Sequence, residues 1–189
     1  MRNNDATNVS TAKPKVGGAV YRAPLGTPLP TDATSPLNPA FINLGYVSED
    51  GASNSNNMDV SNVKAWGGAV VYRSLTEMED NFKLTMIESK NVDVLKTVYG
   101  DDNVSVNAAG DIHVEVKAED PIESSYVIDT VLRGGKAQRI VIADGAITAR
   151  DEIIYNDSDP IGYGVTISAY PNGNGKSHDI YIEGNTISG

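Results

Sequence analysis

The sequence predicts a mainly β protein, an antiparallel β-sandwich or barrel carrying one short flanking α-helix at about residues 91–99. Three observations predict it. Short runs of alternating apolar and polar residues recur, Gly, Pro, Asn and Ser punctuate them, and one segment alone has helical spacing. At 189 residues, with 40% hydrophobic and 21% charged, the chain suits one globular domain with a substantial core.

Met1–Lys15 is polar and without periodicity, and is expected to be a mobile arm. The single β domain is expected over 16–183, with 184–189 as a tail. It opens with two strand-like runs, Val16–Arg22 and Phe41–Ser48, around a linker holding Pro24, Pro28, Pro30, Pro36 and Pro39. None of these prolines can join a sheet interior, because each lacks the N–H that a ladder bond needs. So long a helix-free connection is uncommon in a compact domain and usually has a job. Next comes EDGASNSNNMDVSN, whose Gly, Asn, Ser and Asp content marks a long exposed loop over 49–63. A strand starts near Val63 and runs to Arg73. Its GGAVVYR echoes GGAVYR at Gly17–Arg22, but the inserted Val shifts the strand phase, so no structural repeat is read.

In Asn91–Tyr99, Leu95, Val98 and Tyr99 recur at helical spacing. Asn91 can cap the first amides, Asp93 suits the positive end of the dipole, and Gly100 terminates the helix. So short a helix is marginal alone, so Leu95 and Val98 must pack on a sheet. Asp111–Ala118 then alternates Asp111, His113, Glu115 and Lys117 against Ile112, Val114, Val116 and Ala118. Ser125–Arg133 follows, the Gly134–Gly135 turn, and Ala137–Ala143, which reads as a strand buried on both faces. Ala146–Tyr155, Tyr163–Tyr170 and His178–Glu183 complete the strands.

The net charge of −10 is uneven: residues 1–73 carry 6 basic and 5 acidic side chains, the remainder 9 and 20. A protein that grips nucleic acid neutralises phosphate with Lys and Arg, and no basic stripe with interleaved aromatics exists here. An acidic surface can instead let DNA pass without sticking. With no cysteine, there is no disulfide framework, thiolate metal site or thiol nucleophile. MRNNDATNVSTAKPK has no apolar core of signal-peptide type, and no run is long enough to span a bilayer. A cytoplasmic origin is expected, and with it three chance Asn-x-Ser matches at Asn8, Asn103 and Asn156.

Catalytic and cofactor chemistry is not found. GNGKS at Gly173–Ser177 lacks the first P-loop glycine, since Tyr170 stands there, and a strand rather than a helix follows. It reads as a turn. His113 and His178 are the only histidines, and neither has a ligand-spaced partner. Asp111, His113 and Glu115 share a strand face, which is more often a solvated face than an ion site. Asp101–Asn103 and Asp157–Asp159 lack the twelve-residue calcium-loop spacing and allow at most a weak calcium contact. No G-x-S-x-G elbow appears, and Glu77/Glu79 and Glu119/Asp120 are not placed in a cleft by anything in the sequence. Trp66, the sole tryptophan, is expected in the core or at a subunit contact. No catalytic, cofactor or metal residue is assigned.

The Val16–Gly51 stretch, KAWGG at Lys64–Gly68 and NVDVLKTVYGDDNV at Asn91–Val104, in this order, resemble the major tail tube proteins of long, flexible-tailed bacteriophages, closest to those of Gram-positive hosts. The resemblance covers most of Val16–Ile182. It implies a structural virion protein without enzymatic activity, forming hexameric rings that stack into the tube through which the genome leaves. Its implied partners are further copies of itself and the tape measure, tail tip and tail terminator proteins. Double-stranded DNA passes in transit without specific binding, no membrane is involved, and assembly takes place in the host bacterial cytoplasm. The long loop and both arms would contact the neighbouring ring, here through Glu49, Asp50, Asn54, Asn57, Met58 and Asp59. Strands near Phe41–Ser48, Val63–Arg73, Asp111–Ala118 and Ser125–Arg133 would line the lumen, with Asp111, Glu115 and Asp129 making it negative. Some relatives carry an immunoglobulin-like domain after the tube domain, which is not expected here. The alternatives are another ring-forming tail component, such as a terminator, or a carbohydrate-binding or hydrolytic β-sandwich. The 6% aromatic content speaks against the last.

Overall fold

The computed structural model describes residues 4–184. Among them, strands dominate and α1 (Val92–Tyr99) is the one α-helix. Nine strands join in one antiparallel sheet that folds over on itself along β9 (Ala137–Arg150). The first half of β9 pairs with β8 (Ser124–Leu132) on one edge and β11 (His178–Ile182) on the other. β8 in turn pairs with β1 (Ala12–Pro14) and β2 (Val20–Pro24), and β2 with β3 (Ile42–Asn43). The second half of β9 pairs with β10 (Tyr163–Ala169), followed by β5 (Val70–Met86) and β4 (Val47–Lys64). Gly145 lies where β9 exchanges β11 for β10, and a Cβ there would sit 3.1 Å from the Ser168 carbonyl oxygen. A small hairpin of β6 (Val104–Val106) and β7 (Ile112–Val114) stands apart.

The main core lies between the two halves of the sheet. Phe82, Leu84 and Met86 of β5 and Val165 and Ile167 of β10 meet Tyr126 and Ile128 of β8 and Ile142 of β9. Helix α1 closes this core with Val94, Leu95 and Val98. The Asn91 side chain accepts from the Asp93 amide, and Gly100, at φ +101°, ends the helix. Glu88 ties the helix start to the β3–β4 corner, accepting from the Tyr46 amide and the Asn91 side chain.

A second apolar layer lies on the other face of β2, β8 and β9. Ala23, Val127 and Val141 pack there under Phe41 and Leu37 of the proline-rich linker. Arg139 and Asp129, cross-strand partners in β9 and β8, are buried on this same face. The pair is bidentate, at 2.7 and 2.9 Å, and Arg139 also donates to the Asp32 and Ser35 carbonyls of the linker. The carboxylate holds the guanidinium pKa above its usual value. Lys15 adds a third contact, at 3.1 Å to Asp129.

Several expectations are corrected. Residues 49–63, expected as a loop, are exposed but belong to the 18-residue strand β4. The arm expected over 1–15 is anchored at Ala12–Pro14, while Met1–Asn3 and residues 185–189 of the expected tail lie outside the described residues. The run from Val16 becomes strand only at Val20, because 16–18 loop out opposite Asp129 on two positive-φ glycines. Asp111–Ala118 contributes only Ile112–Val114 as strand. The strands expected at 137–143 and 146–155 are one strand, β9.

Removing one partner of the buried pair, in Asp129→Ala, should cost about 3–5 kcal/mol in urea unfolding. It should also open the linker to limited proteolysis near Asp32–Ser35, since Arg139 then loses its orientation. Gly45→Ala, at φ +72° with Glu88 where the Cβ would lie, should lose about 1–3 kcal/mol in the same assay.

Candidate assembly surfaces

Strands β4 and β5 run on past the body as a two-stranded arm closed by a turn at Ala65–Ala69. Paired residues share a face of such a ribbon. On β5, Asp80, Phe82, Leu84 and Met86 point into the core. Their side of the ribbon continues outward as Met58 paired with Met78 and Val60 paired with Leu75, beyond a bulge. All four side chains are exposed, so the core-side face outlives the core. Ile180 and Ile182 of β11, on the same side as His178, are also exposed. The two half-sheets thus leave an open apolar mouth.

A polar clamp marks the root of this arm. Asp80 is buried, accepts from the Asn54 side chain at 2.8 Å, and pairs with Nδ1 of His178. Phe82 meets the His178 ring edge to face at 5.0 Å. The clamp ties β4 and β5 to β11, so the direction of the arm is coupled to the closure of the sandwich. Sequence reading set His178 aside because nothing near it in the chain could partner it; Asp80 lies 98 residues away.

The opposite face of the β9–β10–β5–β4 half-sheet is mostly polar, with Ala146 and Ala149 of β9 beside Ser168 and Thr166 and, out on the arm, Val63 paired with Tyr72. Ser53, Ser55, Asn81, Thr85, Thr166 and Ser168 lie on it, with Thr148 bonded to Ser168 and Ser168 to Asn81. Lys83 and Asp151 add one balanced pair at 3.0 Å. Along the arm this face turns acidic, with Asn57 opposite Glu79 and Asp59 opposite Glu77.

The expected contact residues Glu49, Asp50, Asn54, Asn57, Met58 and Asp59 all lie in β4. They divide between faces: Met58 and Asn54 are core-side, Asn57 and Asp59 polar-side. Of the expected lumen residues, Asp129 is corrected. It is 2% exposed and spent on Arg139 and Lys15, so it presents no free charge. Asp111 and Glu115 are exposed, at and beyond the β6–β7 hairpin. Glu115 is paired at 2.6 Å with Lys117, whose hydrogen bond pulls its carboxyl pKa down. Trp66 is not in the core. It stands fully exposed, at 107%, on the turn of the arm.

GNGKS forms a turn in which the Asn172 side chain accepts from the Asn174 and Lys176 amides. Among the described residues, no three His, Asp or Glu side chains gather as an ion site, and no helix is long and apolar enough to cross a membrane.

A comparison with curated proteins found no match. A scan of protein families matches residues 2–186 to the family described as phage tail tube protein. The β-rich fold, the exposed arm and this match over nearly the whole length agree: the chain belongs to the phage tail tube protein family, and is a structural tail component that assembles with itself into a tube.

Proposed function

We propose that the protein forms hexameric rings that stack into the tube of a long, flexible phage tail, and that the genome leaves the capsid through the bore. The reading is carried by one observation, the apolar core-side face of the β4–β5 arm. Met58, Val60, Leu75 and Met78 continue the core pattern, and among the described residues nothing covers them. Full burial of each such side chain is worth about 1.5–3 kcal/mol, so coverage by a second copy is strongly favourable. Among the described residues the outer edge of β4 has no partner strand, and a neighbouring strand can satisfy its backbone groups.

The polar face of the β9–β10–β5–β4 half-sheet is the wall of the bore in this account. Its hydroxyl and amide groups wet the wall, and Asp59, Glu77 and Glu79 repel phosphate. The expected lumen role of Asp111 and Glu115 gives way to these residues, which share one continuous sheet face. Neither catalysis nor a cofactor is required. The tape measure, tail tip and terminator proteins are the remaining partners, and the host bacterial cytoplasm is the place of assembly.

The two faces of one strand separate under substitution. Met78→Asp and Leu75→Asp should abolish tubes in electron micrographs of concentrated protein, while circular dichroism of the dilute protein stays unchanged. Glu77→Gln, one residue away, should leave tubes intact. Tubes formed by Met78→Asp would overturn the reading.

A further inference from the structure

The chain has four methionines, of which Met1 lies outside the described residues. Met86 is sealed in the main core at 1% exposure. Met58 and Met78 are 63% and 40% exposed. They are direct partners across the β4–β5 ladder, so two thioethers stand side by side on one rung. Reagents dissolved in water therefore reach this pair and are kept from Met86.

The place of the rung matters as much as its exposure. It lies two residues beyond Asp80, the buried residue of β5 nearest the arm, and on the same face. Val60 and Leu75 follow on that face, and their aliphatic carbons are inert to mild oxidants. The methionine rung thus holds the reactive groups of an otherwise unreactive apolar surface. A thioether there is a soft, adaptable apolar contact, whereas its sulfoxide is polar and disrupts surfaces built on methionine.

We infer that Met58 and Met78 form a paired modification site, oxidised by peroxide in the free subunit, and that their oxidation blocks assembly. The inference rests on the assembly reading above and adds its chemical control. In each step the sulfur attacks one oxygen of hydrogen peroxide. An S–O bond forms as the O–O bond breaks, the sulfur is oxidised by two electrons, and the departing hydroxide takes up the proton to leave as water. Each sulfoxide oxygen then needs a hydrogen bond that an apolar neighbouring surface cannot give, so oxidised copies are excluded from growth. Methionine sulfoxide reductases, one for each sulfur epimer, reverse the change. Within a tube the rung is covered and the reaction slows.

The experiment treats the dilute full chain with hydrogen peroxide and locates the sulfoxides by peptide mass spectrometry. The protein is then concentrated and its tubes are followed by electron microscopy. Met58 and Met78 should each gain one oxygen at least about tenfold faster than Met86, with circular dichroism unchanged. The doubly oxidised protein should need a concentration on the order of tenfold higher or more to form tubes, and reductase treatment should restore the untreated value. The double variant Met58→Leu/Met78→Leu keeps Met1, Met86 and Trp66, and should form tubes equally well before and after peroxide. Equal oxidation rates at Met58, Met78 and Met86 would overturn the proposal, and that comparison needs no tubes. Doubly oxidised protein assembling at the untreated concentration would overturn it as well, as would a double variant that loses its tubes to peroxide as readily as the wild type. All three results leave the tube reading intact. Untreated protein that forms no tubes even when seeded with tail tip complexes would overturn both.

Discussion

The rest of the structure depends on the buried ion pair between Asp129 and Arg139. The two residues face each other across the β8–β9 ladder, so a slip of one residue between the strands would put them on opposite faces and leave two charges unpaired. Register is therefore fixed by electrostatics as well as by the apolar pattern. The pair also reaches outside the sheet. Arg139 holds two linker carbonyls, and Asp129 holds Lys15 at the end of β1. A segment rich in proline, unable to form ladder bonds of its own, is thereby kept over a second apolar layer. Buried pairs add little net stability compared with well-packed apolar residues, and their value here is in specifying one arrangement.

That arrangement frees the other half of the sheet for contacts. With β9 shared, β11 closes one edge while β10, β5 and β4 build a second wall ending in the arm. The clamp of Asp80, His178 and Asn54 sits where the walls part. Below it the core-side residues are covered by the chain itself; above it the same alternation continues without cover among the described residues. Folding and assembly thus use one pattern on one strand, and the buried carboxylate marks the boundary between them.

Much of the fold was legible because apolar periodicity was strong. The helix, its Asn91 cap and its Gly100 stop follow from spacing alone, and β8, β10 and β11 lie within a residue or two of their expected bounds. Residues 49–63 were illegible as strand because both faces of the proximal arm are wet, and a two-sided polar strand has the composition of a loop. Asp129 alternates with Tyr126 and Ile128 along β8, so it falls on the face away from the main core. What covers that face was not legible, since the linker reaches it only in three dimensions. Asp80 and His178 were hidden for the same reason. The alternation of Asp111–Ala118 misled in the other direction: it is regular, yet only Ile112–Val114 finds a partner strand, in β6.

The central claim is that one face of the β9–β10–β5–β4 half-sheet lines a bore while the other is covered by neighbouring copies. A reconstruction of assembled tubes by electron cryomicroscopy, at a resolution that traces the chain, tests it most directly. The account predicts Ser53, Asn81 and Ser168 facing an open central channel, with Met58 and Leu75 buried against a second copy. Density that places the proline-rich linker or the β6–β7 hairpin on the channel, with Asn81 and Ser168 on the outside of the tube, would contradict it.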